Sequence, residues 1–287
     1  MGDFVSREVE IKGKPIVEKY GFVKLDKVNN NYMSIYEPKL APENRKLIII
    51  CDTLWDEQER TLVLCAKLGR LLAVQGYTTI KFDYTGCGNS ERDNEAVTFN
   101  KLLLDLKNII NWCSENFQGI NYMSLIAIRA GCHIVFNYPE ISDLFAKVIL
   151  IHPIVNIRHF FKFNYIEQEV VNNNAYLQKK TTLNDLLNQI NSQSVIDING
   201  YNFNTSFIKE ILNFPELWNC NLPLKNCHYI FDERFYINKK EWGNKLNTMD
   251  MEVIKMNSMA FSSWDREDIK DDIIFFQSIF SSILNYL

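Results

Sequence analysis

Short apolar runs alternate with longer amphipathic segments along this chain, and that alternation constrains the fold more than any other feature. The first run, residues 46–51, is typical of a strand buried on both faces, and residues 77–83, 121–128 and 146–155 are predicted as the next three strands. The segments after the first three, residues 59–76, 100–117 and 131–138, have the apolar spacing of helices. Strands that alternate with helices imply right-handed crossovers. The sequence therefore predicts an α/β fold with a mostly parallel sheet.

The two ends of the chain extend this pattern. Residues 7–11 and 31–38 alternate apolar and polar side chains, so we expect them to form an antiparallel pair at the sheet edge. Residues 226–235 and 251–256 are predicted as the last two core strands, and residues 268–287 as a closing helix.

Residues 156–220 have a different character, because asparagine, lysine and glutamine dominate and helical patterns replace the buried strands. We interpret this segment as a helical cap inserted over the carboxyl ends of the strands. The core domain then consists of residues 1–155 and 221–287. A chain of 287 residues suits one large domain with such an insertion better than two independent domains.

Composition excludes several classes of partner. The net charge of −4 gives no support for a nucleic acid or an anionic membrane. No apolar run approaches the roughly 20 residues of a membrane span, and the charged first residues lack a signal peptide's apolar core. Seven cysteines without a C-x-x-C pair indicate reduced thiols and a cytoplasmic location. Four histidines without metal-ligand spacing predict no metal and no cofactor, and the sequence leaves the oligomeric state open.

Two motifs connect this pattern with a known superfamily. Residues 127–131, Ala-Ile-Arg-Ala-Gly, are similar to the nucleophile elbow G-x-S-x-G, with Arg129 at the nucleophile position. Residues 82–91, FDYTGCGNSE, are similar to a D-x-x-G-x-G-x-S turn that begins at Asp83. The chain thus resembles the α/β-hydrolase superfamily in its serine-aminopeptidase-like branch. The resemblance implies a mostly parallel central sheet flanked by helices, with an inserted helical cap.

A closer likeness is to the exosortase-A-system-associated hydrolases, whose elbow G-L-R-L-G also carries arginine. Residues 56–77, 149–164 and 194–203 look like corresponding segments of that subgroup, and the likeness runs from about residue 45 to residue 215. It implies a role in a biosynthetic or export pathway.

The hydrolase triad of this superfamily runs in the order nucleophile, acid, histidine. Asp232 or Glu233 occupies the acid position, but Ala260 stands at the expected histidine position and no histidine follows His228. Arginine cannot replace serine, because its guanidinium stays protonated and only donates hydrogen bonds. We therefore predict that the serine-triad mechanism is absent.

Arg129 then has two alternative roles. At the start of a helix it would form an anion receptor for a carboxylate, phosphate or sulfate. Alternatively it pairs internally with Asp232 or Glu233, because a buried arginine needs a partner. Asp52 and Thr53 stand where the family has its oxyanion loop, so Asp52 is a candidate base or a partner of Arg129.

Other groups are candidates for the same pocket, each with a structural alternative. His152 ends a strand at this edge and is a candidate general acid or base, unless a loop carbonyl holds it. His133 is predicted as a core residue, and Cys51 and Cys132 as inert thiols rather than displaced nucleophiles. The aromatic Phe160, with its neighbours Phe161 and Tyr165, lines a ligand channel or packs the cap. The predicted ligand-site residues are Thr53, Leu54, Ala130, Glu233 and Phe160.

These observations predict a non-hydrolytic protein that binds an anionic small molecule or a peptide carboxylate. Any chemistry would be proton transfer by Asp52 or His152, with Arg129 stabilising the developing negative charge. The alternative is an active esterase, thioesterase or peptidase with a displaced nucleophile, such as a cysteine or a serine at 262–263. A third possibility is a structural partner protein with a filled cleft.

Overall fold

The computed structural model describes residues 3–25, 30–40, 42–91, 95, 97–154, 156–158, 160–162, 165, 183–198, 200–214, 226–232, 250–254 and 273–287. The strands in this part are β1 Asp3–Ile11, β2 Lys14–Lys24, β3 Asn30–Pro38, β4 Arg45–Cys51, β5 Tyr77–Phe82, β6 Ile120–Ile128, β7 Lys147–Ile151, β8 Val195–Ile198, β9 Tyr201–Asn204, β10 Cys227–Asp232 and β11 Asp250–Ile254. The helices are α1 Asp56–Val74, α2 Phe99–Asn116, α3 Gly131–Phe136, α4 Ile141–Leu144, α5 Leu183–Ser192, α6 Thr205–Leu212 and α7 Ile273–Tyr286.

One large sheet has the order β1-β2-β3-β5-β4-β6-β7-β10-β11. Its six strands from β5 to β11 run parallel, which confirms the predicted mostly parallel sheet. The first three strands form an antiparallel meander joined to β5 through β3.

The predicted edge pair is wrong in one respect, because β1 and β3 do not pair with each other. Strand β2 lies between them and pairs with both. Lys12 and Gly13 link β1 to β2, with φ of 50° and 74°. Two consecutive positive φ values produce the tight turn that suits a twisted hairpin, so β1 folds back directly on β2.

Apolar side chains cover both faces of the central strands. On β4, Ile48 and Ile50 face a cluster that includes residues of α1 and α7. The alternate residues Leu47, Ile49 and Cys51 face a second cluster, with residues of α2 and α6. A strand buried on both faces is a continuous apolar run in sequence, which explains why residues 46–51 were informative.

The segment from α5 to α6 shares this second cluster, to which Ile196, Phe203 and Phe207 belong. It contains an antiparallel hairpin, β8–β9, that the helical periodicity did not predict. The turn of this hairpin includes Gly200 at φ 82°. The cap boundaries at 156 and 220 stay a prediction, since residues 166–182 and 215–225 lie outside the described part.

Helix α7 is strongly apolar in sequence, and its Ile279 and Ile283 are fully buried against the sheet. Across the portions of the chain described above, no helix has the length and apolarity of a membrane span.

Candidate functional site

Strand β6 ends in a sharp turn at Arg129, whose backbone is left-handed with φ 51°. Its N–H donates to the carbonyl of Ile151 at 3.0 Å, and α3 begins two residues later. At Gly131, a Cβ atom would lie 2.4 Å from the carbonyl oxygen of Asp52. Only glycine therefore lets the turn approach the end of β4. A strained non-glycine residue between strand and helix is the geometry of a nucleophile elbow.

The Arg129 side chain forms a buried ion pair with Glu57 in the first turn of α1. The distance from Nη2 to Glu57 Oε1 is 2.6 Å, and Nε lies 3.1 Å from the same oxygen. Arg129 is 10% exposed and Glu57 is 1% exposed. Thr53 adds a hydrogen bond from Oγ1 to Glu57 Oε2 at 2.7 Å. The guanidinium is therefore balanced by a carboxylate of the same chain.

Glu57 is a partner that the sequence did not predict. Asp232, one of the predicted partners, is the last residue of β10, but its side chain lies outside the described residues, as does all of Glu233. Glu57 occupies Nε and Nη2, one of the two edges through which a guanidinium binds a carboxylate in a bidentate manner.

Asp52 does not pair with Arg129, so the prediction that Asp52 is a partner of Arg129 is wrong. Its Oδ1 accepts from Thr61 Oγ1 at 2.7 Å and from the Thr53 N–H at 2.8 Å. Its Oδ2 lies 3.6 Å from Lys81 Nζ. Asp52 is fully buried, and its side chain points toward Lys81 of β5, because Thr61 and Lys81 hold it there.

Lys81 links Asp52 with a second buried carboxylate, Asp83. Its Nζ donates to Asp83 Oδ1, which also accepts from Gln58 Nε2 at 2.7 Å. The Asn89 N–H donates to Asp83 Oδ2 at 2.9 Å.

Burial raises the pKa of Asp52, and Lys81 opposes that effect only partly. Burial disfavours the Lys81 ammonium, but attraction to Asp52 and Asp83 prevails and raises its pKa. We conclude that Lys81 is charged and forms ion pairs with both carboxylates.

Glu233 lies outside the described residues, and the other four predicted ligand-site residues lie in the interior or against it. Thr53, Leu54 and Ala130 are buried, and Phe160 is half-buried against the core. Phe161 and Tyr165 are also buried, so these two residues pack the interior instead of lining an open channel.

The two histidines near the elbow are also buried. His152 follows β7 with φ 46°, and its N–H donates to the carbonyl of Ile230 at 2.9 Å. His133, in α3, hydrogen-bonds through Nε2 to the carbonyl of Ile154, which confirms its predicted core position. No group of three or more histidine, cysteine or acidic side chains suited to a metal ion occurs among the residues that the structure describes.

Burial makes the cysteine thiols near the elbow poor nucleophiles. It raises the pKa of Cys51 to about 12 and that of Cys132 well above the usual range. A thiol acts as a nucleophile in its thiolate form. These values support the prediction that both thiols are inert. The candidate serines at 262–263 lie outside the described residues.

A cleft of about 640 Å³ lies beside the Lys81 network, between the first turn of α1, the glycine turn after β5, and the β8–β9 hairpin. Its lining includes Trp55, Gln58, Lys81 and Tyr201, but not Arg129. Sequence analysis missed this cleft, because its walls come from three segments without a common motif.

Trp55 closes one side of the cleft from a left-handed backbone, with φ 54°. Its ring centroid lies 4.9 Å from that of Phe203 and 5.1 Å from that of Phe161, both edge-on. These aromatic contacts fix the indole between the sheet and the α5–α6 segment.

Comparison with solved structures identifies the fold. Est1E from Butyrivibrio proteoclasticus with bound ferulic acid aligns with a TM-score of 0.65 at 13% identity, covering 92% of this chain and 98% of Est1E. A putative hydrolase from Agrobacterium vitis S4 gives 0.57 at 10% identity, covering 100% of this chain and 99% of that protein. Mouse alpha/beta hydrolase domain-containing protein 10 gives 0.55 at 14% identity, covering 93% and 97%.

The chain therefore has the α/β-hydrolase fold, as predicted. At such identities the likeness establishes the fold alone. No protein-family model and no curated protein sequence matches the chain. The serine-aminopeptidase-like branch, the biosynthetic setting and the cytoplasmic location accordingly stay predictions.

Replacing His133 with glutamine is expected to flatten the pH dependence of stability. Burial lowers the pKa of His133 from 6.5 to about 4. The folded state then binds fewer protons than the unfolded state, so stability is present above pH 6.5 and is lost as the pH falls toward 4. That loss is about 3 kcal/mol at 1.36 kcal/mol per pKa unit. Urea unfolding of both proteins at pH 7 and pH 4 measures it, and equal losses in the two proteins would contradict the assignment.

Proposed function

We propose that this chain is a non-hydrolytic α/β-hydrolase-fold protein that binds a small polar molecule in the cleft beside the Lys81 network. The observation that carries the proposal is the Arg129–Glu57 ion pair at the elbow. A hydrolase of this fold has its nucleophile at that position. Here the side chain is a guanidinium that only donates hydrogen bonds, and Glu57 holds it in place.

The surroundings of the elbow also support the loss of acyl transfer. No histidine follows His228 in the chain, so the usual position of the catalytic base is empty in sequence. Asp52 stands in the sequence where the superfamily has its oxyanion loop, and its side chain, held toward Lys81, supplies no hydrogen-bond donor for the negative charge that develops during acyl transfer. Cys51 and Cys132 are held in their thiol forms by burial.

The cleft supports a binding role. Its volume of about 640 Å³ falls within the range of roughly 300 to 1,000 Å³ that is typical of small-molecule sites. Its floor is fixed by the Lys81–Asp83 ion pair, and one wall by the packed ring of Trp55. A rigid, mostly preformed cleft costs little ordering entropy when a ligand binds.

Activity-based labelling tests this proposal. We would treat the full chain with a fluorophosphonate probe and assay p-nitrophenyl esters and acyl thioesters, with Arg129→Ala as the comparison. We expect no covalent labelling of the wild-type protein, and its turnover of the esters and thioesters should not exceed that of Arg129→Ala. Labelling of one residue whose substitution abolishes turnover would overturn the proposal and establish a displaced nucleophile.

An anionic ligand at Arg129 is the second candidate, because 10% of that side chain still reaches the surface. Glu57 would compete with such a ligand, so Glu57→Gln should increase the thermal stabilisation by citrate or a short peptide carboxylate. Arg129→Ala should abolish it. Equal anion effects on wild type and both variants would exclude this candidate.

A further inference from the structure

The cleft carries more negative than positive charge. Its described lining includes the carboxylates Asp83, Glu59 and Glu95, against the single ammonium of Lys81. That ammonium is already engaged by Asp83 and Asp52. Glu59 and Glu95 are exposed and line the cleft. Because the described lining holds no further cation to neutralise them, the cleft favours a positively charged group.

Gln58 presents a buried acceptor without a partner in the lining of the same cleft. Its Nε2 donates to Asp83 Oδ1 at 2.7 Å, which fixes the orientation of the amide and leaves Oε1 as an acceptor. The residue is 4% exposed, and Oε1 has no hydrogen-bond partner in the described part of the chain. A buried acceptor left in this state costs roughly 1–3 kcal/mol. A donor on a ligand would relieve that cost.

Aromatic rings complete the lining. Trp55 and Tyr201 both border the cleft, and Trp55 is immobilised by its contacts with Phe161 and Phe203. The Tyr201 hydroxyl lies 3.4 Å from Glu59 Oε1 and donates to it. Indole and phenol faces attract cations, most strongly where water is partly excluded.

We propose that this cleft binds a small organic cation that carries an ammonium group. The ammonium donates to Gln58 Oε1, pairs with the carboxylates of Glu59 and Glu95, and contacts the faces of Trp55 and Tyr201. The inference rests on the proposed binding function and names the chemical class of the ligand. It is independent of Arg129, which does not line this cleft.

Isothermal titration of the full chain with ethanolamine and with 1,4-diaminobutane, both of which carry primary ammonium groups at neutral pH, tests the inference, with ionic strength held constant by sodium chloride. We expect saturable binding of at least one cation. The double variant Glu59→Gln/Glu95→Gln should weaken it by about five- to tenfold, since two charge pairs are lost. The matched control is Glu10→Gln/Glu115→Gln, which removes two exposed carboxylates outside the cleft lining and should leave the affinity unchanged.

The inference is overturned if neither cation binds, or if Glu59→Gln/Glu95→Gln binds the cation as wild type does. It is also overturned if both double variants weaken binding equally, which indicates general charge attraction. Binding of glucose or citrate in place of the cations would also overturn it while leaving the proposed binding function intact. Ester turnover in the labelling experiment would instead overturn the proposed function, whatever the titrations show.

Discussion

Replacing Glu57 with alanine is expected to lower the free energy of unfolding by about 3 to 5 kcal/mol. The substitution removes the Glu57 carboxylate from the guanidinium of Arg129, which is only 10% exposed. Arginine keeps its charge in proteins, so the group cannot relieve the penalty by losing its proton. Thr53 also loses the acceptor of its hydroxyl hydrogen bond. Urea unfolding at neutral pH measures the change.

Glu59→Ala is the matched control, because Glu59 lies two residues further along the same helix and is exposed. Its expected effect is within about 0.5 kcal/mol. A double variant, Glu57→Leu with Arg129→Met, removes both charges and should recover most of the lost stability. Equal effects of Glu57→Ala and Glu59→Ala would contradict the role of the ion pair.

The sheet was largely predictable from sequence because burial on two faces leaves a local signature. The parallel strands β4, β6 and β7 are rich in apolar side chains that stay buried on both faces of the sheet. The elbow was predictable because its strand, turn and helix follow one another along the chain, so the motif at residues 127–131 is local in sequence.

The hairpin β8–β9 was missed although its signal is present. The dipeptide Asn199-Gly200 is typical of two-residue hairpin turns, but the helical periodicity of the surrounding sequence predicts helices. The position of β2 was not predicted, because the alternation of apolar and polar side chains in β1 and β3 does not show that another strand lies between them.

The partners of the buried charges could not be predicted, because they depend on tertiary packing. Glu57 lies 72 positions from Arg129 in the chain, and Lys81 reaches Asp52 from a neighbouring strand. In sequence, Glu57 resembles an ordinary acidic residue in the first turn of a helix, where the dipole favours it. Lys81 resembles a solvent-facing residue of an alternating strand. No spacing rule separates these residues from surface charges.

Replacing Lys81 with methionine is the other substitution with a large expected effect, a loss of about 3 to 5 kcal/mol at neutral pH. Methionine approximates the length of the lysine stem but removes the cation shared by Asp52 and Asp83, both buried. Without that cation, burial raises the pKa of a carboxylate above its unfolded value. The folded variant then binds more protons than its unfolded state, so its stability falls as the pH rises.

The variant should therefore recover stability relative to wild type when the pH is lowered from 7 to 5, which urea unfolding at the two pH values measures. Asp52→Asn in the Lys81→Met background should restore part of the loss at pH 7, because it removes one of the two unbalanced charges. Lys107→Met, on the exposed face of α2, controls for the loss of one positive charge and should have an effect within about 0.5 kcal/mol. The two carboxylates would not depend on Lys81 if Lys81→Met lost no more stability than Lys107→Met, or lost the same stability at both pH values. The floor of the cleft would then need a different source of rigidity.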